Sequence, residues 1–163
     1  MQLYIVRHAW AGEFGDPRYP DDRLRPLTSD GKERFAEVVR KLAKRGFAPT
    51  VIATSPLVRC RQTADIIAAR TPGKATVEEL KALEPGSDLN ALLAWSAAQP
   101  ADVELAWVGH MPDVGELAAT MIGDRRALIH FAKGAVASLN AGSPLRSGAA
   151  ELQWLATAKL LGC

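Results

Sequence analysis

The chain has 163 residues, 48% apolar and 23% charged, and a formal net charge of +2 with the histidines neutral. That balance suits one domain over residues 1–163 with a real core, and it argues against a nucleic-acid binder working by bulk electrostatics. No apolar stretch approaches the roughly 20 residues of a membrane span. Met1 leads straight into a strand-like run and a polar loop rather than a signal sequence, so a cytoplasmic protein is expected. The cysteines, Cys60 and Cys163, give neither a disulfide framework nor zinc spacing.

Residues 2–6 (Gln-Leu-Tyr-Ile-Val) read as a buried strand, followed by a polar, Pro- and Gly-rich loop from Gly12 to Asp30. A helix is predicted over 31–45, with Phe35, Val38, Val39 and Leu42 on one stripe and Gly46 as its stop. Thr50–Thr54 is a second strand, and Ser55-Pro56 is expected to open the next helix, the serine as cap and the proline in the first turn. A weaker strand falls near 75–79, Asp88 caps a helix to Ala98, Val103–Val108 is a third clear strand, and Pro112 starts a helix to Ile122. Ala135–Asn140 and Ala150–Ala156, joined by the turn-rich stretch 141–148, predict an antiparallel hairpin at one sheet edge. Strands alternating with helices make this an α/β domain with a largely parallel central sheet. The scattered tryptophans, Trp10, Trp95, Trp107 and Trp154, are read as packing residues.

Sites in such sheets lie where strands end and loops lead into helices. The first strand ends in Arg7-His8, the second runs into Ser55-Pro56-Leu57-Val58-Arg59-Cys60-Arg61-Gln62, and the third ends in Gly109-His110-Met111-Pro112. Arginine forks match phosphate oxygens in a bidentate way, and free amides at helix starts favour an anion. Arg59, in a first helical turn, leans back toward the same anion. A histidine with one ring nitrogen tied to a carbonyl or carboxylate presents the other as a nucleophile. Phosphoryl transfer needs little beyond in-line positioning and charge stabilisation. The catalytic set is therefore Arg7, His8, Arg59 and His110, with His8 forming a covalent phosphohistidine that water hydrolyses. His130 lacks such a context and is read as structural; Arg61 is read as solvent-facing. No metal or other cofactor is expected, because no carboxylate or Cys/His cluster has ligand spacing.

Four segments, Ile5-Val6-Arg7-His8-Ala9, Arg25-Pro26-Leu27-Thr28-Ser29-Asp30-Gly31, Ser55 to Ala64 and Val108-Gly109-His110-Met111-Pro112, resemble the histidine phosphatase superfamily. Length and loop wording are most similar to its SixA-type phosphohistidine phosphatases. The resemblance implies a phosphoglycerate mutase-like three-layer sandwich. By it, His8 matches the phosphorylated histidine, Arg7 and Arg59 the phosphate-binding arginines, His110 the second catalytic histidine, and Arg25 a substrate-binding position at the pocket mouth.

Two departures stand out. The family usually has glycine where this chain has Ala9; a turn needing positive φ would then cost on the order of 1 kcal/mol. The general acid of larger relatives falls at Ala82, with Glu84 a substitute if the loop shifts. A missing acid favours phosphohistidine, whose imidazole leaves easily, over an alkyl phosphate. The expected partner is a phosphorylated protein, such as a phosphotransfer domain, or else a small phosphorylated substrate, with neither nucleic acid nor membrane involved. The alternatives are a small-molecule phosphomonoester phosphatase on the same fold and a non-catalytic phospho-binding module.

Overall fold

The computed structural model describes residues 1–163. Its elements are β1 (Gln2–Arg7), α1 (Ser29–Ala43), β2 (Val51–Thr54), α2 (Val58–Arg70), β3 (Thr76–Glu79), α3 (Leu89–Ala97), β4 (Glu104–Gly109), α4 (Asp113–Met121), β5 (Val136–Ala141) and β6 (Ala150–Ala156). Short 3-10 turns occur at Asp22–Leu24 and Lys81–Leu83.

The inner strands are apolar on both sides because both sides are covered. Leu3, Ile5, Val51, Ala53, Leu105 and Trp107 face one layer, where they meet Leu92 of α3 and Val114, Leu117, Ala118 and Met121 of α4. The alternate residues Tyr4, Val6, Ile52, Ala106 and Val108 meet Phe35, Val38, Val39 and Leu42 of α1 and Cys60, Ala64 and Ile67 of α2. The result is a three-layer sandwich.

The sheet order is β3-β2-β4-β1-β5-β6. Its first four strands run parallel, while β5 pairs antiparallel with β1 and β6 antiparallel with β5. The expected edge hairpin is there.

Two helix starts differ from the sequence reading. Helix α1 begins at Ser29, not 31, because the Thr28 side chain accepts from Gly31 N at 3.0 Å and caps it. Helix α2 begins only at Val58, with no side-chain cap, so Ser55 is not its cap.

Gly31 fixes how closely α1 approaches the chain just after β1. A Cβ there would collide with the Trp10 carbonyl oxygen, a backbone atom that itself accepts from Thr28 N. Gly31→Ala is expected to lower stability by about 1–3 kcal/mol, read as a fall in the urea midpoint at unchanged slope.

Candidate active site

Strand register builds the site. In the pairing of β1 with β4, Arg7 lies opposite Gly109, and in that of β2 with β4, Thr54 lies opposite Val108. One residue further on, His8 N donates to Gly109 O at 3.0 Å and Ser55 N donates to Val108 O at 3.0 Å. His8, His110 and Ser55 therefore leave the sheet side by side, with the two imidazole centroids 5.3 Å apart.

Helix α2 closes this end. Thr63 Oγ1 donates to Arg59 O at 2.7 Å and accepts from Ala9 N at 3.0 Å, tying the turn after His8 to the first turn of α2. Gln62 accepts from Leu27 N at 2.8 Å and anchors the long loop. No non-glycine residue has positive φ, so Ala9 carries none of the strain that the missing glycine suggested.

His8 is buried, and its Nδ1 lies 2.8 Å from the Ala9 carbonyl oxygen. A carbonyl only accepts, so Nδ1 carries the proton and Nε2 keeps its lone pair. Burial, reinforced by the positive charges of Arg59 and Arg7, pulls the His8 pKa down to about 3. Burial and nearby Arg59 likewise lower His110 to about 4. Both rings are neutral at pH 7.

Arg7 reaches this end of the sheet with its Nη1 donating to Phe131 O at 2.7 Å. Arg59 is 5% exposed and holds Asp22 doubly, Nη1 to its backbone oxygen at 2.8 Å and Nη2 to its carboxylate at 3.0 Å. The Nε atoms of Arg7 and Arg59 are buried donors with no acceptor in the protein. Two guanidinium groups with unspent donors, each close enough to act electrostatically on a neutral histidine, suit an oxyanion.

Arg25 donates through Nε to Asp22 at 2.7 Å and through Nη1 to the Gly12 carbonyl at 2.5 Å. It is close enough to influence His110 electrostatically. Asp22 is thus the hub of the loop, its carboxylate bridging Arg25 and Arg59, and Arg25 holds it below the usual carboxylate range. Neither Asp22 nor Ser55 is marked in the sequence; Asp22 is one acid among several in its loop, and Ser-Pro signals a helix start.

Glu84 forms a double contact with Arg23 at 2.9 and 3.2 Å, and Arg23 depresses its pKa. A carboxylate held ionised has no proton to give. Ala82 packs against the core beneath α3 and α4. Arg61 pairs at the surface with Asp65 and Glu79, as expected, whereas His130 is exposed rather than buried as the structural reading implies. Two concavities of about 500 Å³ each lie along α4 and beside the C-terminus, and no histidine lines either.

The profile of the histidine phosphatase superfamily (branch 1) matches residues 3–104. The chain belongs to the histidine phosphatase superfamily. An uncharacterized protein of Picosynechococcus is 38% identical to this histidine phosphatase over 156 residues, 94% of this chain and 89% of that protein. A solved protein histidine phosphatase SixA, complexed with tungstate, superposes at a TM-score of 0.82 with 24% identity and 99% of each chain covered. A structure from Nakamurella multipartitia, provisionally named phosphohistidine phosphatase SixA, superposes at 0.76 with 28% identity, covering 96% of this chain and 95% of that one.

The buried neutral histidines are expected to make the fold of this phosphatase acid-sensitive. An unfolded histidine titrates near 6.5, above the folded values of about 3 and about 4. Between those limits the unfolded chain binds more protons, so stability falls as pH drops below about 6.5. At pH 5 each histidine is expected to remove about 2 kcal/mol relative to pH 8. Urea melts from pH 8 to 5 should show this loss, and His8→Asn should flatten the slope; an unchanged slope would refute the buried neutral state.

Proposed function

We propose that this single-domain protein, acting in the cytoplasm, removes the phosphoryl group from phosphohistidine on another protein, with His8 as nucleophile. His8 Nε2 attacks phosphorus in line, and the new N–P bond forms as the substrate's own N–P bond breaks. A substrate imidazole protonated on its far nitrogen leaves as a neutral ring. Arg7 and Arg59 take the non-bridging oxygens, His110 contributes a further donor, and Arg25 lines the mouth. Water then cleaves the phosphohistidine on His8, and His8 recovers its lone pair as phosphate departs.

The observation that carries the substrate class is the engagement of Glu84 by Arg23. An alkoxide leaving group needs a proton, and both Glu84 and Asp22 are ionised and paired with arginines, whereas a protonated imidazole needs none. Relatives at 28% and 25% identity, from Nakamurella multipartitia and Agrobacterium tumefaciens, carry the provisional name phosphohistidine phosphatase SixA, which supports the same reading. No three His, Cys, Asp or Glu side chains are grouped to hold a metal ion.

The test is a panel assay of the purified protein on a phosphohistidine peptide, sugar phosphates and p-nitrophenyl phosphate. Phosphohistidine is expected to exceed sugar phosphates in kcat/KM by about a hundredfold or more, the scale of one general acid. Equal rates on sugar phosphates would favour the small-molecule alternative, and tight phosphate binding without turnover would make the chain a binding module.

A further inference from the structure

A serine preceding a proline at a helix start ordinarily caps the helix, yet α2 has no side-chain cap. Ser55 is instead fully buried at the end of β2, and its Oγ lies 2.9 Å from His110 Nε2. Pro56 restricts Ser55 to an extended backbone, and the bond from Ser55 N to Val108 O fixes it beside β4. The hydroxyl is thus aimed at His110.

The hydrogen bonds around Nε2 favour one donor. Ser55 Oγ accepts from Leu57 N at 3.4 Å, which leaves its single hydrogen for another partner. Cys60 Sγ also lies 3.4 Å from Nε2, but its thiol is directed at the Gly109 carbonyl at 3.6 Å. Burial pushes that thiol up to about 12, so it keeps its hydrogen. The Ser55 hydroxyl also bonds the Cys60 side chain, but nitrogen is the better acceptor than a thiol sulfur and Nε2 lies within 2.9 Å.

We propose that Ser55 is a positioning residue that sets the tautomer of His110: its O–H donates to Nε2, so the ring carries its proton on Nδ1 and offers that N–H to a bound phosphoryl group. The inference rests on the phosphatase reading of this site. It accounts for two histidines in one pocket doing opposite jobs in the same tautomer. In His8 a carbonyl takes the Nδ1 proton and frees Nε2 to attack. In His110 a hydroxyl occupies Nε2 and frees Nδ1–H to donate.

The test uses the full chain labelled with ¹⁵N-histidine, in which only His8, His110 and His130 contribute signals and single replacements assign them. At pH 7 the two-bond ¹H–¹⁵N pattern of wild-type His110 should be that of a neutral Nδ1–H ring. Ser55→Ala should move it toward Nε2–H and lower kcat on a phosphohistidine peptide by about tenfold to a hundredfold, the range seen when a hydrogen-bond partner that orients a histidine is lost, with KM little changed. Ser55→Thr, which keeps the hydroxyl, should retain the Nδ1–H pattern and most of the turnover. A wild-type Nε2–H pattern, or the same pattern in Ser55→Ala, would overturn the assignment. A changed tautomer with unchanged kcat would refute its role in catalysis. Wild-type protein that turns over no phosphorylated substrate would instead remove the phosphatase reading, with the spectra still reporting the Ser55 contact independently.

Discussion

His8→Ala is expected to abolish turnover and leave no phosphorylated protein after brief reaction with an activated substrate. In the wild type that adduct should be acid-labile and alkali-stable, as phosphohistidine is, and should map to the peptide containing His8. The reason is local. His8 Nδ1 is committed to the Ala9 carbonyl at 2.8 Å, which leaves Nε2 as the free lone pair in the pocket. His110 cannot substitute, because its Nε2 is enclosed by Ser55 Oγ and Cys60 Sγ. His8→Asn should lose turnover in the same way while still binding phosphate, since both arginines remain. An adduct on His110, or substantial turnover in His8→Ala, would reverse the assigned roles.

Arg59→Lys should lower kcat/KM about a hundredfold, the equivalent of roughly 3 kcal/mol for one charge-assisted contact in the transition state. Lysine keeps the charge, so a purely coulombic role would leave activity nearly intact. It cannot keep the fork, which in Arg59 spans the backbone oxygen and the carboxylate of Asp22 at 2.8 and 3.0 Å with Nε still unspent. The loss should therefore exceed anything produced by Arg61→Lys, whose guanidinium pairs with Asp65 and Glu79 at the surface. Near wild-type turnover in Arg59→Lys would show that Arg59 does not grip phosphate.

The strand ends were legible because burial on both faces leaves continuous apolar runs, and in a parallel sheet the loop leaving the end of such a run is where a site forms. Arg7-His8 and Gly109-His110 stand where that rule places them. The edge hairpin was legible for a similar reason, two strand-like runs around a turn-rich stretch. Local signals failed where tertiary partners overrode them. Thr28 lies inside a stretch that reads as loop, so its capping of α1 went unseen, and Ser55 has the sequence of a cap but the neighbours of a histidine. Asp22 pairs with a guanidinium 37 positions away and Glu84 with one 61 positions away, separations that no periodicity encodes. Ala9 needed the φ of its own turn before the missing glycine could be judged harmless.

The register that sets His8 beside Gly109 and Ser55 beside Val108 also sets how long the site stays assembled. Those two amides bond between central strands, so they should exchange with solvent only when the sheet itself opens. Asp22 sits on a three-residue turn with its side chain 33% exposed, so it can let go of Arg59 by local fraying. The bonds that place His8 and Ser55 are expected to last as long as the fold, while the grip on Arg59 is expected to open and re-form within that life.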